Sequence, residues 1–219
     1  IIDGGKIVVV GPVDKVKIPE GARIVDADGK VIIPGLVDSH SHLGVASRPL
    51  EKANSDGNER SGAVQSIVRA LDSINPFDPG IRMAHTGGIT TANVMPGSGN
   101  VIGGQTIYIK LRGNSPEQMW IGTDGHFGGL KMANGENPKR SYGSKGQPPV
   151  TRMKVAALQR VEFVKAIDYR RKWQEFEKKR EQDKGATPPD RDLALEPLAE
   201  VLAGRRTVQQ PNPPPWCCP

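Results

Sequence analysis

The sequence predicts an α/β fold, with short strands and amphipathic helices following one another along most of the chain. Three observations point there. Segments 6–10, 89–95 and 106–112 are rich in β-branched residues and have strand composition. Segments 61–73 and 151–184 repeat apolar residues at one-face helical spacing. Glycine, proline, asparagine and aspartate clusters punctuate the chain between them. No apolar run approaches the ~20 residues of a membrane span. The two cysteines are the adjacent pair Cys217 and Cys218, which excludes a disulfide-stapled framework.

In chain order, residues 1–33 read as small-sheet material. Asp3-Gly4-Gly5 is a tight turn before a strand at 6–10, Gly11-Pro12 breaks that strand, and Asp28-Gly29 separates strands at 23–27 and 30–33. The next strand starts from the apolar run Ile32-Ile33, is expected to be buried, and ends in His40-Ser41-His42. Side chains alternate faces along a strand, so His40 and His42 point the same way, about 7 Å apart along the chain. Neutral imidazole is a favoured ligand for zinc and similar ions, and two rings leaving one strand end form half of a coordination shell.

A polar loop over 48–60 follows, least regular at 54–59, and reads equally as a loop covering a ligand or as an ordinary solvent loop. Val64, Ile67, Val68 and Leu71 predict a helix over 61–73, ended by Asn75-Pro76-Phe77-Asp78-Pro79; a short helical turn over 80–85 carries His85 to a strand at 89–95. The glycine-rich loop 96–105 has neither the dinucleotide fingerprint nor the Lys-Ser/Thr pair of a phosphate loop. At a strand end it reads instead as a pocket wall, with Ser98, Asn100 and Gln105 as candidate substrate-binding side chains. A strand at 106–112 closes at Gly113-Asn114.

The stretch 151–184 predicts one long helix whose buried stripe is Leu158, Val161, Val164 and Ile167, continued by Tyr169, Trp173 and Phe176. A shorter helix over 193–202 and the start of a strand at 205–208 follow. The net charge of +6 could suggest an anionic partner. However, the basic residues concentrate at 139–184 among many acidic ones, the pattern of a solvated helix face, so neither nucleic acid nor a membrane is an expected partner. The last segment, 209–219, contains Pro213-Pro214-Pro215, which cannot donate to a sheet ladder, and is expected to be a disordered tail.

Pro34-Gly35-Leu36-Val37-Asp38-Ser39-His40-Ser41-His42, followed by Gly87-Gly88-Ile89-Thr90-Thr91-Ala92-Asn93-Val94, resembles the amidohydrolase superfamily. Within it the likeness is greatest to the imidazolonepropionase-like and Xaa-Pro-dipeptidase-like branch, and it runs from about residue 1 to about residue 208. The resemblance implies a (β/α)8 TIM-like barrel, of which this chain holds a part. Residues 1–33 would be the N-terminal part of a β-sandwich domain, 34–208 the N-terminal half of a metal-dependent hydrolase barrel, and 209–219 a tail foreign to the family. A closed barrel takes about 250 residues by itself, so 219 residues leave this one incomplete. The absence of an initial methionine implies a missing N-terminus, which could have carried a signal peptide; a cytoplasmic location is otherwise favoured.

The implied activity is hydrolysis of an amide, cyclic amide or amidine C–N bond in a small-molecule substrate, with zinc or another divalent metal, one or two ions in the complete enzyme. His40 and His42 match the family's first two ligands. Lys131, in Gly128-Gly129-Leu130-Lys131-Met132-Ala133-Asn134-Gly135-Glu136, matches a lysine that reacts with CO2 to give a bridging carbamate, with Glu136 as the fallback carboxylate. His85 and His126 have no ligand spacing. The family's later histidines and its proton-handling aspartate find no counterpart, so no catalytic residue is assigned and the chain alone is expected to be weakly active or inactive. The alternative is a non-catalytic partial barrel that binds a partner chain. The sequence sets no oligomeric state.

Overall fold

Residues 1–122 and 128–210 are described in a computed structural model, which divides into Ile1–Pro34 and Gly35–Pro219. His126 and the expected disorder of 211–219, with Cys217 and Cys218, lie outside the described residues. No helix among the described residues is long and apolar enough to cross a membrane.

In the first unit, β1 (Ile2–Asp3) and β2 (Lys6–Ile7) form one antiparallel hairpin, pairing Ile2 with Ile7 and Asp3 with Lys6. Gly4 and Gly5 take φ of 54° and 76° to make the turn. The strands expected at 23–27 and 30–33 are not formed. Their turn is present, with Asp28 at φ 48° and the Lys30 amide donating to the Ala27 carbonyl at 2.9 Å. No ladder extends from it, because Ile24, Val25, Val31 and Ile32 are all exposed, Ile32 to 86%, and β-structure needs a face to bury. The expectation that the histidine-bearing strand begins as a buried run fails for the same residues.

The second unit is built on two mixed three-stranded sheets. The first contains β3 (Leu36–Ser41), β4 (Ile89–Val94) and β6 (Ile107–Lys110) in the order β3-β4-β6, with β3 parallel to β4 and β4 antiparallel to β6. Helix α1 (Pro79–Thr86) lies on the crossover between β3 and β4; Asp78 caps it and Pro79 takes its first position. The second sheet is β5 (Ile102–Gln105), β7 (Leu130–Met132) and β8 (Val208–Gln209), with β7 antiparallel to β5 and parallel to β8. The short α2 (Pro116–Met119) precedes β7, and α3 (Glu136–Gly143), α4 (Arg152–Gln182) and α5 (Glu196–Leu202) make the crossover from β7 to β8.

Each sheet has its own apolar core. Ile81, Ala92, Val94, Ile107, Ile109 and Met119 fill the first; Ile102, Leu130, Met132, Val155, Ala166 and Leu198 fill the second. The fold is therefore α/β, and its sheets do not join into a closed barrel among the described residues.

Four expectations need correction here. Residues 61–73 are not a helix. They run extended along β5, the Gln65 amide donating to the Ile102 carbonyl at 2.8 Å and the Gln105 amide to the Val68 carbonyl at 2.7 Å, with one 3-10 turn at Ala70–Asp72. Pairing with a buried strand outweighs the local helical period. The glycine-rich loop is shorter than expected, since β5 takes its last four residues. On α4, Val161 and Val164 are 50% and 53% exposed and Ile167 is exposed as well, while Val155 and Ala166 are buried and Leu158 and Phe163 pack beside them. The small Ala166 lets the helix sit close, so the contact face is rotated from the Val/Ile stripe. Finally, Gln209, assigned above to the tail, pairs with Lys131 at the end of β8.

Candidate metal centre

The site grows out of the C-terminal end of β3. The register between β3 and β4 slips between Asp38 and Ser41: Asp38 faces Ala92 and Ser41 faces Val94, three steps on one strand against two on the other. Such a bulge bends the strand and re-aims its side chains. Ser41 is buried and the His40 and His42 rings stand outside, edge to face, with centroids 5.3 Å apart.

The loop that follows is held by one residue that the sequence did not single out for the site. Asp78, nearly fully buried, accepts from the amides of Gly44 (2.8 Å), Arg48 (3.0 Å) and Gly80 (2.8 Å), so the cap of α1 also clamps the chain just after His42. Gly44, at φ 77°, makes this approach possible; a Cβ there would stand 2.6 Å from Ile74. An Asp-Pro dipeptide at a helix start was the available signal.

Each histidine is oriented by its second nitrogen or its neighbour. His42 Nδ1 lies 2.8 Å from the Met95 carbonyl, an acceptor, so Nδ1 carries the proton and Nε2 keeps its lone pair. His40 Nε2 lies 3.3 Å from Lys131 Nζ. Lys131, at the centre of β7, is 0% exposed, and its ammonium also reaches Met95 Sδ at 2.8 Å. Burial lowers its pKa from 10.5 to about 8. His40 is held below the usual imidazole value, first by burial, then by the charge of Lys131 and by His42, with Asp38 opposing.

Two imidazoles and an amine thus converge. Lys131 Nζ and His40 Nε2 stand 3.3 Å apart, a hydrogen-bond contact, and the two imidazoles are favoured ligands for zinc. The donor set fits part of a zinc shell. It is not a complete one: among the described residues no group of three His, Cys, Asp or Glu side chains could hold a metal ion.

A cavity of about 570 Å³ opens beside His40, walled by Val37, Ala92, Met95 and Ile121, with Asn93, Tyr108 and Gln209 as polar members. Asn93 and Tyr108 are register partners on β4 and β6. Asn93 is 6% exposed. It donates to the Ser39 carbonyl (3.1 Å) and to Gln209 Oε1 (2.7 Å), and Gln209 Nε2 donates to the Tyr108 hydroxyl at 3.3 Å. Sequence reading missed all three; a lone polar residue at alternate positions of otherwise apolar strands was the signal.

Ser98, Asn100 and Gln105 are not brought to this cavity. Ser98 accepts from Asn137 at 2.7 Å. Asn100, 1% exposed, ties down the 48–60 loop by donating to the carbonyls of Glu59 (2.6 Å) and Gly62 (3.1 Å). Gln105 donates to the Ser66 carbonyl and lines a separate cavity with Arg191 and Arg206. The glycines of this loop serve packing: Asn58 lies where a Cβ on Gly97 or Gly99 would go, and its side chain accepts from the Gly99 amide at 2.8 Å. Glu136 starts α3 and pairs with Lys139, and His85 is exposed on α1, neither at the site.

Comparison with known proteins gives several likenesses. Over 145 residues the chain is 40% identical to a protein of Hapsidospora irregularis called amidohydrolase tasK, covering 63% of this chain and 15% of that one. An imidazolonepropionase of Streptomyces griseus is 27% identical over 128 residues, 54% of this chain and 32% of its own. A crystal structure of an amidohydrolase from Thermotoga maritima superposes with a TM-score of 0.85 at 38% identity, covering 96% of this chain and 52% of that one. The chain thus spans about half of the solved structure and less of the two sequence relatives. No protein-family model matches.

Proposed function

This chain is a relative of the amidohydrolases, and on that footing we propose that it contributes the first half of a divalent-metal site in a (β/α)8-type hydrolase that cleaves a C–N bond in a small amide or related substrate. The observation that carries this reading is the convergence of His40, His42 and Lys131, with Nε2 of His42 free of its proton and the Lys131 amine 3.3 Å from Nε2 of His40.

His40 and His42 would hold the ion. When bound, a divalent ion would polarise the substrate carbonyl and ease the ionisation of water. Lys131 is suited to a further step: with its pKa near 8, about a tenth of the amine is uncharged at pH 7. Its nitrogen can then add to the carbon of CO2 and release a proton, leaving a carbamate anion against the ion. The buried apolar walls of the cavity, Ala92 and Met95, would limit water beside the reacting carbonyl. The clamp from Asp78 to Gly44 and Arg48 fixes the loop behind His42, so the ring does not have to be ordered when the ion arrives.

The test is metal content. Purified from zinc-supplemented medium, the chain should carry near-stoichiometric zinc by elemental analysis, and the His40→Ala/His42→Ala variant should lose it. Zinc no higher in the parent than in the double variant would overturn the assignment. Zinc lost on mutation would justify assays on amide, cyclic amide and amidine substrates.

A further inference from the structure

We propose that the outward face of α4 is a docking surface for an acidic amphipathic helix of a partner protein. This goes beyond the proposed function and does not depend on it, since the surface uses no residue of the metal site.

The rotation of α4 on its core creates the surface. Val155 and Ala166 point into the second core. Residues nine positions apart in an α-helix are separated by about two and a half turns and stand on opposite sides. Val164 lies nine positions after Val155, and Ala157 nine before Ala166, so both are on the side away from the core. The outward series is Met153, Ala157, Arg160, Val164, Ile167 and Arg171, in steps of four, three, four, three and four. That alternation is the seam of a two-helix contact, in which each side chain enters a hole between residues of the facing helix. Met153 is 80% exposed, and Val164, Ile167 and the neighbouring Val161 are about half exposed. The seam runs for about 27 Å along the helix.

Charge decides the occupant. Helix α4 carries ten Lys and Arg against five Asp and Glu, an excess of five where the whole chain has six. Arg160 and Arg171 stand in the seam itself, with Lys154 and Lys165 at its flank. A facing helix takes both guanidiniums out of water, which is costly unless it brings carboxylates to them. A second copy of this chain brings none in its seam: parallel pairing sets Arg160 against Arg160, and antiparallel pairing about Glu162 sets it against Val164. An anionic bilayer fits less well. The aromatic residues that suit a headgroup layer are turned inward, since Trp173 stands five turns after Val155 and meets Tyr169 and Phe176 edge to face. Asp168 and Glu175, four and eleven positions after Val164, would face the lipid charge.

The experiment is a fluorescence-anisotropy titration of the whole chain into a labelled synthetic helix of about three heptads. The peptide has leucine opposite the apolar seam positions, and glutamate opposite Arg160 and Arg171 and on both flanks. The parent should bind it, less tightly as salt rises, and should not bind a version with every glutamate replaced by lysine. Val164→Gln, on the solvent side of α4, should weaken the acidic peptide about 5- to 10-fold, the loss of one apolar contact. Arg160→Glu should weaken it about 10-fold, and a peptide with lysine opposite that one position should recover the loss. Helix content by circular dichroism and zinc content should match the parent in both variants, which separates this surface from folding and from the metal reading. Equal affinity of the parent for the acidic and basic peptides, or an affinity indifferent to both variants, would overturn the proposal. So would a parent that ignores the acidic peptide but binds phosphatidylserine vesicles, or forms a dimer in sedimentation velocity, in a manner lost with Val164→Gln; the face would then belong to lipid or to a second copy.

Discussion

At the scale of the residue, Lys131 is where burial and the proposed chemistry meet. A lysine at 0% exposure with only His40 Nε2 and Met95 Sδ beside its Nζ among the described residues has no carboxylate to balance its charge, and burial draws its pKa from 10.5 to about 8. An amine whose pKa falls on folding costs stability for as long as the pH keeps it protonated. The cost, about 3 kcal/mol, is present in full below pH 8 and fades as the pH rises to 10.5. The metal-free chain should therefore become harder to unfold in urea across that interval, and Lys131→Met should remove the slope and raise stability at neutral pH. A flat profile in the parent would mean that the lysine is solvated. His40, also lowered, acts in the same direction at lower pH: its contribution holds above the ordinary imidazole value and is lost as the pH falls through it. The types of these two groups were legible in the sequence. Their separation was not, because they stand 91 positions apart in the chain.

At the scale of the element, two predictions follow from how loops and helices are pinned. Asp78→Ala removes three hydrogen bonds to a buried carboxylate, one of them the cap of α1, and should lower stability by about 3 kcal/mol in thermal unfolding. It should also weaken zinc binding, since Gly44 and Arg48 lose their anchor. Asp78→Asn, which keeps one acceptor oxygen, should lose less. The second concerns α4. Its contact face runs through Val155 and Ala166 rather than Val161 and Val164, so Ala166→Leu should destabilise by about 1–3 kcal/mol, whereas Val164→Gln should stay within about 0.5 kcal/mol. The reverse ranking in denaturant titrations would restore the Val/Ile stripe as the buried face. The existence of α4 was plain from 31 residues without a Gly or Pro; its orientation was not. Apolar residues stand on two adjoining faces, and the one that carries Val155 and Ala166 packs into the second core. The segment 61–73 misled in another way: its spacing suits a helix, but the exposed backbone of β5 offered it partners.

At the scale of the whole second unit, residues distant in sequence hold the site together. Arg206, 7% exposed, pairs with Glu200 at 2.7 Å and donates to the carbonyls of Gly128 (3.1 Å) and Gly129 (3.4 Å), just before the strand that carries Lys131. It closes the long crossover from β7 to β8 around the second core. Glu200 keeps partial access to water, so Arg206→Ala should cost about 1–3 kcal/mol in chemical denaturation, chiefly through the glycine carbonyls left without a donor; Arg206→Lys, which lacks the fork that holds Glu200 while Nη1 reaches the carbonyls, should restore only part. An unchanged midpoint in the alanine variant would show that the pair is solvated.

Sequence by itself determined the α/β class, the helices α1, α4 and α5, the strands β3, β4 and β6, and the shared face of the histidine pair, because each of these is written in neighbouring residues: period, turn chemistry, and the i,i+2 rule of a strand. The tertiary structure alone decided that Lys131 meets His40, that Asp78 clamps the histidine loop, that Ser98, Asn100 and Gln105 serve the framework, and that Asn93, Tyr108 and Gln209 share one cavity. Those outcomes depend on strand register and on which carbonyl or amide is left without a partner. Both are properties of two segments together, and neither segment carries them alone.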